Sequence, residues 1–330
     1  MQKDLPSLDV ILPFHRYDNR LYAAIESVAK SKFVNLRCIL VDDSGENNSQ
    51  KIQELIDFVR VTTKNNHSII LKTEGKLGYA SAINHASNEI LSEYVSLMNS
   101  DDRVNKYKFR KQINKLLTTD SDACIGSIRK RMSFIPVPAL LIRLKNRTHY
   151  TPNLLLFGAY GADAGILVKK EVWKKHFRYP IDSMASDWSL AFLVYPKIKI
   201  TFESKAKYYY TVHRDQTTRK KSYMDFFKSI YPDWVKFNSD LALPELNLEE
   251  ASIIAAPSSR VDLNLINISK ISNWSIEFNS KYGTSFTKQL IERRLGLYNL
   301  QYHRKPRMAF DSIKLIPQLL FRLILTLLRR

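Results

Sequence analysis

Glu93-Tyr-Val-Ser-Leu-Met-Asn-Ser-Asp-Asp-Arg103 carries an apolar strand pattern straight into a polar tip with two adjacent carboxylates. Tyr94 to Met98 is a short, bulky run of the kind that fits a buried strand. Asn99 to Asp102 then emerge at its carboxyl end, the edge where open α/β sheets bind ligands. Neighbouring aspartates suit a hard divalent cation that also takes phosphate oxygens. Asn-Ser-Asp-Asp is equally good turn chemistry, so the tip by itself leaves both readings open.

Upstream, Asp9 to Pro13 reads as a first strand, followed by a polar turn and a helix with Leu21, Ala24, Ile25 and Val28 on one face. Leu36 to Val41 is a second strand, and it ends at Asp42-Asp43-Ser44-Gly45, a second carboxylate pair at a second strand end. Helix Ile52 to Val59, strand Ser68 to Leu71, the Gly75 to Gly78 loop and the helical run Tyr79 to Ile90 lead into the central strand. Helix Tyr107 to Leu117 and strand Ala123 to Ile128 follow it. This alternation predicts an α/β fold with a mostly parallel sheet, right-handed crossovers and flanking helices.

Prolines 136 and 138 and the basic segment through Arg147 interrupt the pattern, so Arg129 to Leu155 reads as an insertion or flap; its Phe134 to Ile142 run suits lipid equally well. Gly165 to Val168 restores a strand and Lys170 to His176 a short helix. Ser186-Asp187-Trp188-Ser189 opens the helix Leu190 to Val194, where Ser186 or Asp187 also fits a simple cap. Tyr208 to Val212 is a late strand running into His213-Arg214-Asp215-Gln216. From Ser222 onward the pattern is helical, which divides the chain into 1–221 and 222–330.

With 45% hydrophobic residues in 330, the chain can build a large core and is not disordered as a whole. Its two cysteines, Cys38 and Cys124, sit in apolar runs and read as reduced core thiols. The amino terminus has no apolar stretch of signal-peptide type. Fifty-one Lys and Arg against 32 Asp and Glu give a formal charge of +19, which favours anionic partners without choosing among nucleic acid, phosphorylated ligands and acidic lipid. The last stretch, Ser312 to Arg330, is apolar, broken by Lys314, Pro317 and Arg322, and bounded by basic groups. It is too broken to span a bilayer and fits a basic amphipathic helix lying on an anionic membrane surface; packing or dimer formation are the other readings.

In this order, the first strand, Val41-Asp42-Asp43-Ser44-Gly45, Gly78 to Asn84, Asn99-Ser-Asp-Asp102 and Ser186-Asp187-Trp188 resemble the family 2 glycosyltransferases of the GT-A fold, inverting enzymes, over residues 8 to 218. The resemblance implies nucleotide contacts at Pro13, Asp42, Asp43, Asn99 and Ser100. The family's Asp-X-Asp motif falls on Asn99-Ser100-Asp101, with asparagine for its first acid, and implies Asp101 as ligand of a divalent cation, Mg²⁺ or Mn²⁺. The family's Glu-Asp pair falls on Ser186-Asp187 and implies Asp187 as the base that deprotonates the acceptor. Asp102, His213 and Arg214 are candidates for the diphosphate or acceptor.

These residues imply transfer of a sugar from a nucleotide-diphosphate sugar, a UDP-sugar foremost, to a hydroxyl of a glycan or lipid-linked acceptor. The expected setting is polysaccharide, capsule or lipopolysaccharide-type assembly at the cytoplasmic face of the inner membrane, with peripheral attachment. Nucleic acid is not the favoured partner. The rival reading is a non-catalytic GT-A-fold basic module that binds nucleic acid or nucleotide, motivated by the charge, Asn99 and Ser186.

Overall fold

The computed structural model describes residues 5–46, 49–63, 68–132, 165–213, 223–255 and 265–282. Met1–Thr284 form one compact unit; the second, Ser285–Arg330, lies outside the described residues and with it the Ser312 to Arg330 helix expected from sequence. Most of the expected insertion, from residue 133 on, also lies outside them.

In chain order the strands are β1 (Ser7–Phe14), β2 (Asn35–Asp42), β3 (Ile69–Lys72), β4 (Tyr94–Leu97), β5 (Arg103–Val104), β6 (Ala123–Met132), β7 (Ile166–Lys169) and β8 (Ile200–Val212). The helices are α1 (Asn19–Ala29), α2 (Ser49–Thr63), α3 (Tyr79–Ala86), α4 (Lys108–Thr119), α5 (Lys170–His176), α6 (Ser186–Val194), α7 (Tyr223–Asp240), α8 (Leu248–Ala255) and α9 (Ile268–Tyr282).

One sheet carries all the described strands in the order β3-β2-β1-β4-β7-β6-β8-β5. The first four are mutually parallel, as the alternation predicts. Beyond β4 the directions mix: β7 runs antiparallel to both β4 and β6, β6 is parallel to β8, and β5 is antiparallel to β8. β7 follows the insertion, so its direction of return depends on a segment the strand–helix alternation does not read.

Successive residues of a strand face opposite sides of the sheet, and both sides here are apolar. Ile11, Ile39, Val41, Val95 and Leu97 pack with Ala82 and Ile83 of α3, Trp173 of α5 and Leu190 of α6. Val10, Leu12, Cys38 and Leu40 pack against the other side with Leu21, Ala24, Ile25 and Val28 of α1 and with α2 and α4. Cys38 and Cys124 are free, buried thiols, and burial pushes both up to about 12.

At the amino-terminal edge of the sheet one charged side chain is buried. Burial pushes the Asp9 carboxyl up, but the Arg37 guanidinium at 2.7 and 2.8 Å, the Ser92 hydroxyl and the Leu91 and Ser92 N–H groups outweigh it and hold the group below its usual range. This network ties β1 to β2 and to the start of β4.

Pairing between β1 and β4 runs from Leu8↔Tyr94 to Ile11↔Leu97, and β1 then continues as Pro13, which has no N–H to donate. The two strands part there. The chain order also reverses between them, β2 and β3 lying on one side of β1 and β4 on the other, so a crevice opens at their carboxyl ends.

Candidate active site

A cavity of about 480 Å³ occupies that crevice. Pro13, Asn99, Ser100, Asp101, Asp187 and His213 all line it, so six residues expected from sequence converge although they come from four separate parts of the chain. Asp42 and Asp43 are not among its lining residues. Arg214 lies outside the described residues.

The β2 pair is engaged within the fold. Asp42 accepts the Tyr17 hydroxyl and the Ser44 N–H (3.0 Å), and burial together with that carboxylate holds the Tyr17 phenol well above its usual range. Asp43 accepts the Leu77 N–H at 2.7 Å, the Gly78 N–H at 2.9 Å and the Thr73 hydroxyl at 3.1 Å. It thereby stitches the end of β2 to the β3–α3 loop. Gly78 precedes α3 with φ +89°, a conformation that glycine adopts without strain, and Leu77 to Ala80 form one wall of the cavity.

The tip after β4 is built differently. Asp102 is fully buried and accepts the Tyr208 hydroxyl (2.6 Å), the Thr211 N–H (2.7 Å) and the Asn99 side-chain amide (3.3 Å). Burial and the neighbouring Asp101 push its carboxyl up to about 7 against the pull of those bonds. Asn99 is therefore not a weakened aspartate but a partner of Asp102. Its NH₂ donates to that carboxylate and its oxygen accepts the Tyr79 hydroxyl at 3.0 Å, whereas an aspartate at 99 has no donor to offer and adds a like charge.

Asp101 faces the cavity and meets His213, whose Nε2 lies 2.8 Å from Oδ2. The other ring nitrogen, Nδ1, is 2.8 Å from the Arg20 guanidinium, itself held by Asp18 at 2.6 and 3.0 Å. A guanidinium only donates, so Nδ1 accepts and Nε2 carries the proton that goes to Asp101. His213 thus steadies Asp101 as a hydrogen-bond donor, an arrangement that leaves its Nε2 lone pair unavailable to a cation.

Among the described residues no group of three or more His, Cys, Asp and Glu side chains could hold a metal ion. A cation that keeps several waters and binds through one carboxylate plus substrate phosphates fits what is there, with Asp101 as the carboxylate. Arg16 on the β1–α1 loop supplies positive charge along the same cavity, which His15 and the Asp18-paired Arg20 at the start of α1 also line. Burial, Arg16 and Lys76 lower the His15 imidazole, while Asp101 and Asp43 pull it up.

Asp187 stands in the first turn of α6. The residue preceding the helix is Ala185, which makes no side-chain cap. Burial holds the Asp187 carboxyl above its usual range, opposed by the Trp188 and Asp187 N–H groups. A carboxylate with raised proton affinity, lining the same cavity as a second carboxylate, is suited to take a proton.

His15, Arg16, Arg20, Tyr79 and Tyr210 line the cavity without having been singled out from sequence. The β1–α1 loop has no glycine or repeated spacing to mark it; only Asp18, whose Oδ1 accepts the Arg20 and Leu21 N–H groups as a helix cap, signals that Arg20 begins a helix at the sheet edge.

Residues 9–170 match the model of glycosyl transferase family 2. This segment is a family 2 glycosyltransferase domain. The family 2 domain is 27% identical over 120 residues to glycosyltransferase GlyG of Streptococcus pneumoniae serotype 4, a match covering 36% of this chain and 38% of that protein, so the chain matches well under half the length of that curated relative. Among solved structures it is similar to S. aureus TarS 1-349 in complex with UDP-GlcNAc, with a TM-score of 0.59, 16% identity and coverage of 87% of this chain and 82% of that one. The UDP complex of the same protein gives 0.56, 18%, 76% and 70%. The family 2 domain shares the GT-A fold of those structures.

Proposed function

We propose that the protein is an inverting glycosyltransferase that moves a sugar from a nucleotide-diphosphate sugar to an acceptor hydroxyl. The observation that carries this reading is the convergence of Asp187, with raised proton affinity, and Asp101, held by His213, on one cavity at the β1–β4 crevice. Pro13, Asn99 and Ser100 line the donor side, with Asp43 acting one step back by fixing the Leu77–Gly78 wall. Asp187 takes the proton of the acceptor hydroxyl as that oxygen attacks the anomeric carbon from the side opposite the departing diphosphate. Asp101 would hold Mg²⁺ or Mn²⁺, which would supply positive charge to the leaving diphosphate. Arg16 and Arg20 add fixed positive charge on the same side of the cavity.

A UDP-sugar is the favoured donor, because the structures of similar fold hold UDP and UDP-GlcNAc. The favoured acceptor is a glycan, lipid-linked or membrane-embedded, in cell-surface polysaccharide, capsule or lipopolysaccharide-type synthesis. Peripheral attachment at the cytoplasmic face of the inner membrane is supported by the +19 charge and the basic, apolar 312–330 sequence. No helix of the described residues is long and apolar enough to cross a membrane.

The test is nucleoside diphosphate release from a panel of sugar nucleotides, with and without Mn²⁺, on the intact chain and on Asp187→Asn. The expected outcome is metal-dependent turnover of one donor, reduced roughly 10²–10⁴-fold in the variant while donor binding is kept. Absence of donor binding by calorimetry, with metal present, overturns the reading and favours the basic binding module.

A further inference from the structure

A second concave surface shares no lining residue with the active-site cavity. It encloses about 770 Å³ between the end of α1, the end of α2 and the β5–β8 edge. Lys30, Lys32, Arg103 and Lys106 line it against a single carboxylate, Glu26, which is already paired with Lys30 at 2.6 Å. Lys32, Arg103 and Lys106 make no ion pair within the described residues. Hydroxyls complete the lining, and the Oγ of Ser31 is shielded from solvent with no hydrogen-bond partner.

Next to two of the lining lysines, though not part of the lining, stands an aromatic pair. Phe33 and Tyr107 directly follow Lys32 and Lys106, whose backbones are joined by the Lys32 N–H to Lys106 carbonyl bond at 2.8 Å. Their rings stack with centroids 6.2 Å apart and planes 16° from parallel, and Lys106 and Lys111 stand over Tyr107 at 5.1 and 5.9 Å. Phe33 has φ +64° and is 57% exposed. A bulky side chain is costly in that backbone region, where glycine or asparagine sits easily. The fold therefore bears strain to present a phenyl ring largely to solvent.

Cations and hydroxyls in a concave surface, with the exposed Phe33 ring next to it, suit a particular chemistry. Ring faces carry the negative side of the aromatic quadrupole and attract the polarised C–H face of a sugar ring. The cations pair with carboxylate or phosphate groups on that sugar. A flat bilayer does not enter a groove. The placement also connects to the active site: Arg103 is two residues from Asp101, and on β8 Tyr209 lines the groove while Tyr210 lines the active-site cavity. Among the described strands β5 is the last of the sheet, and a chain-like ligand passing around that edge would link the two surfaces.

We propose that this groove, with the neighbouring Phe33 ring, is an accessory site that holds an acidic glycan, the body of an acceptor whose reacting end occupies the catalytic cavity. The proposal rests on the glycosyl-transfer reading, which supplies a glycan for the groove to hold.

The experiment measures binding of oligogalacturonate, with maltooligosaccharide as the neutral counterpart, to the full chain, to Phe33→Asn and to Lys32→Glu/Lys106→Glu; UDP binding with Mn²⁺ is measured on the same samples. Asparagine suits the left-handed backbone at 33, so the first variant removes the ring without breaking the turn, and an unchanged thermal midpoint verifies folding. The groove predicts that each variant weakens oligogalacturonate roughly tenfold, leaves UDP binding unchanged, and that the neutral oligosaccharide binds more weakly than the acidic one. Oligogalacturonate binding that is absent, or indifferent to both variants, overturns the proposal. So does variant-sensitive binding of phosphatidylglycerol vesicles without glycan binding, which makes the surface a membrane dock. Equal affinity for a single-stranded oligonucleotide leaves charge alone as the recognised feature and also overturns it. If wild type binds the glycan through the groove but no UDP, the groove stands and the transferase reading falls.

Discussion

Asp42-Asp43 and Asp101-Asp102 occupy the ends of the two strands that flank β1, and in sequence they look alike. In the structure they differ in what the neighbouring loop offers. The β3–α3 loop turns two N–H groups and a threonine hydroxyl toward Asp43, so that carboxylate is consumed in holding the loop. Among the described residues Asp101 has one donor, His213, and an open cavity. Asp102, a single residue further on, is buried against Tyr208 and Thr211. Residue type and strand position do not separate scaffold from ligand; the count of local donors does.

The sharpest test of that contrast is Asp101→Ala. Turnover should fall roughly 10²–10³-fold, while the urea midpoint barely moves, because Asp101 supports little of the fold. Asp43→Asn should show the opposite split. Losing the charge acceptor for three donors costs about 1–3 kcal/mol of stability in urea unfolding, with donor affinity weakened through the displaced Leu77–Gly78 wall. An Asp43→Asn protein of full stability but no turnover would erase the distinction between the two pairs.

The smallest effect separates the two members of the β4 pair. The native pKa of Asp102, about 7, lies above the ordinary value of 3.8, so the folded state holds the extra proton between about pH 4 and pH 7. Stability contributed by this group is fully present below about pH 4 and is lost as pH rises through 7. Asp102→Asn should flatten that limb of the urea midpoint against pH. An unaltered pH profile would mean that Asp102 is ionised throughout and shares the open character of Asp101.

Much of the fold is legible because both sides of the sheet are covered. Leu21, Ala24, Ile25 and Val28 mark the buried side of α1 by spacing alone, and Lys170–His176 is helical to the residue. β8 is less legible: only its end, Tyr208 to Val212, reads as a strand, although it begins at Ile200. Glu203, Ser204 and Lys205 are partly or fully exposed at a register shift beside Gly126, where a Cβ would come within 2.5 Å of the Ala206 carbonyl oxygen, and the irregularity hides the alternation.

The site divides in the same way. Asp101 and Asp187 are legible because a carboxylate just past a strand end or in the first turn of a helix has a defined position relative to the sheet. Arg20, Tyr79 and Tyr210 acquire their roles only through tertiary partners, respectively His213, Asn99 and the cavity itself. Asn99 shows the converse, since its departure from the family pattern becomes intelligible only beside buried Asp102.

The helix that carries Asp187 is held by two neighbours. Leu190, Ala191 and Val194 pack into the sheet core, and α7 supplies the rest: the Ser189 hydroxyl donates to Asp233, Trp188 packs on Phe227, and Phe192 lies against Trp234 and Phe237. Trp234 in turn stacks on Trp274 of α9, 5.6 Å away. The aim of the proposed base is therefore inherited in part from a segment of chain that supplies no reacting group. A chain ending near residue 221 would keep every described residue of the cavity yet lose the part of the base's support that α7 supplies.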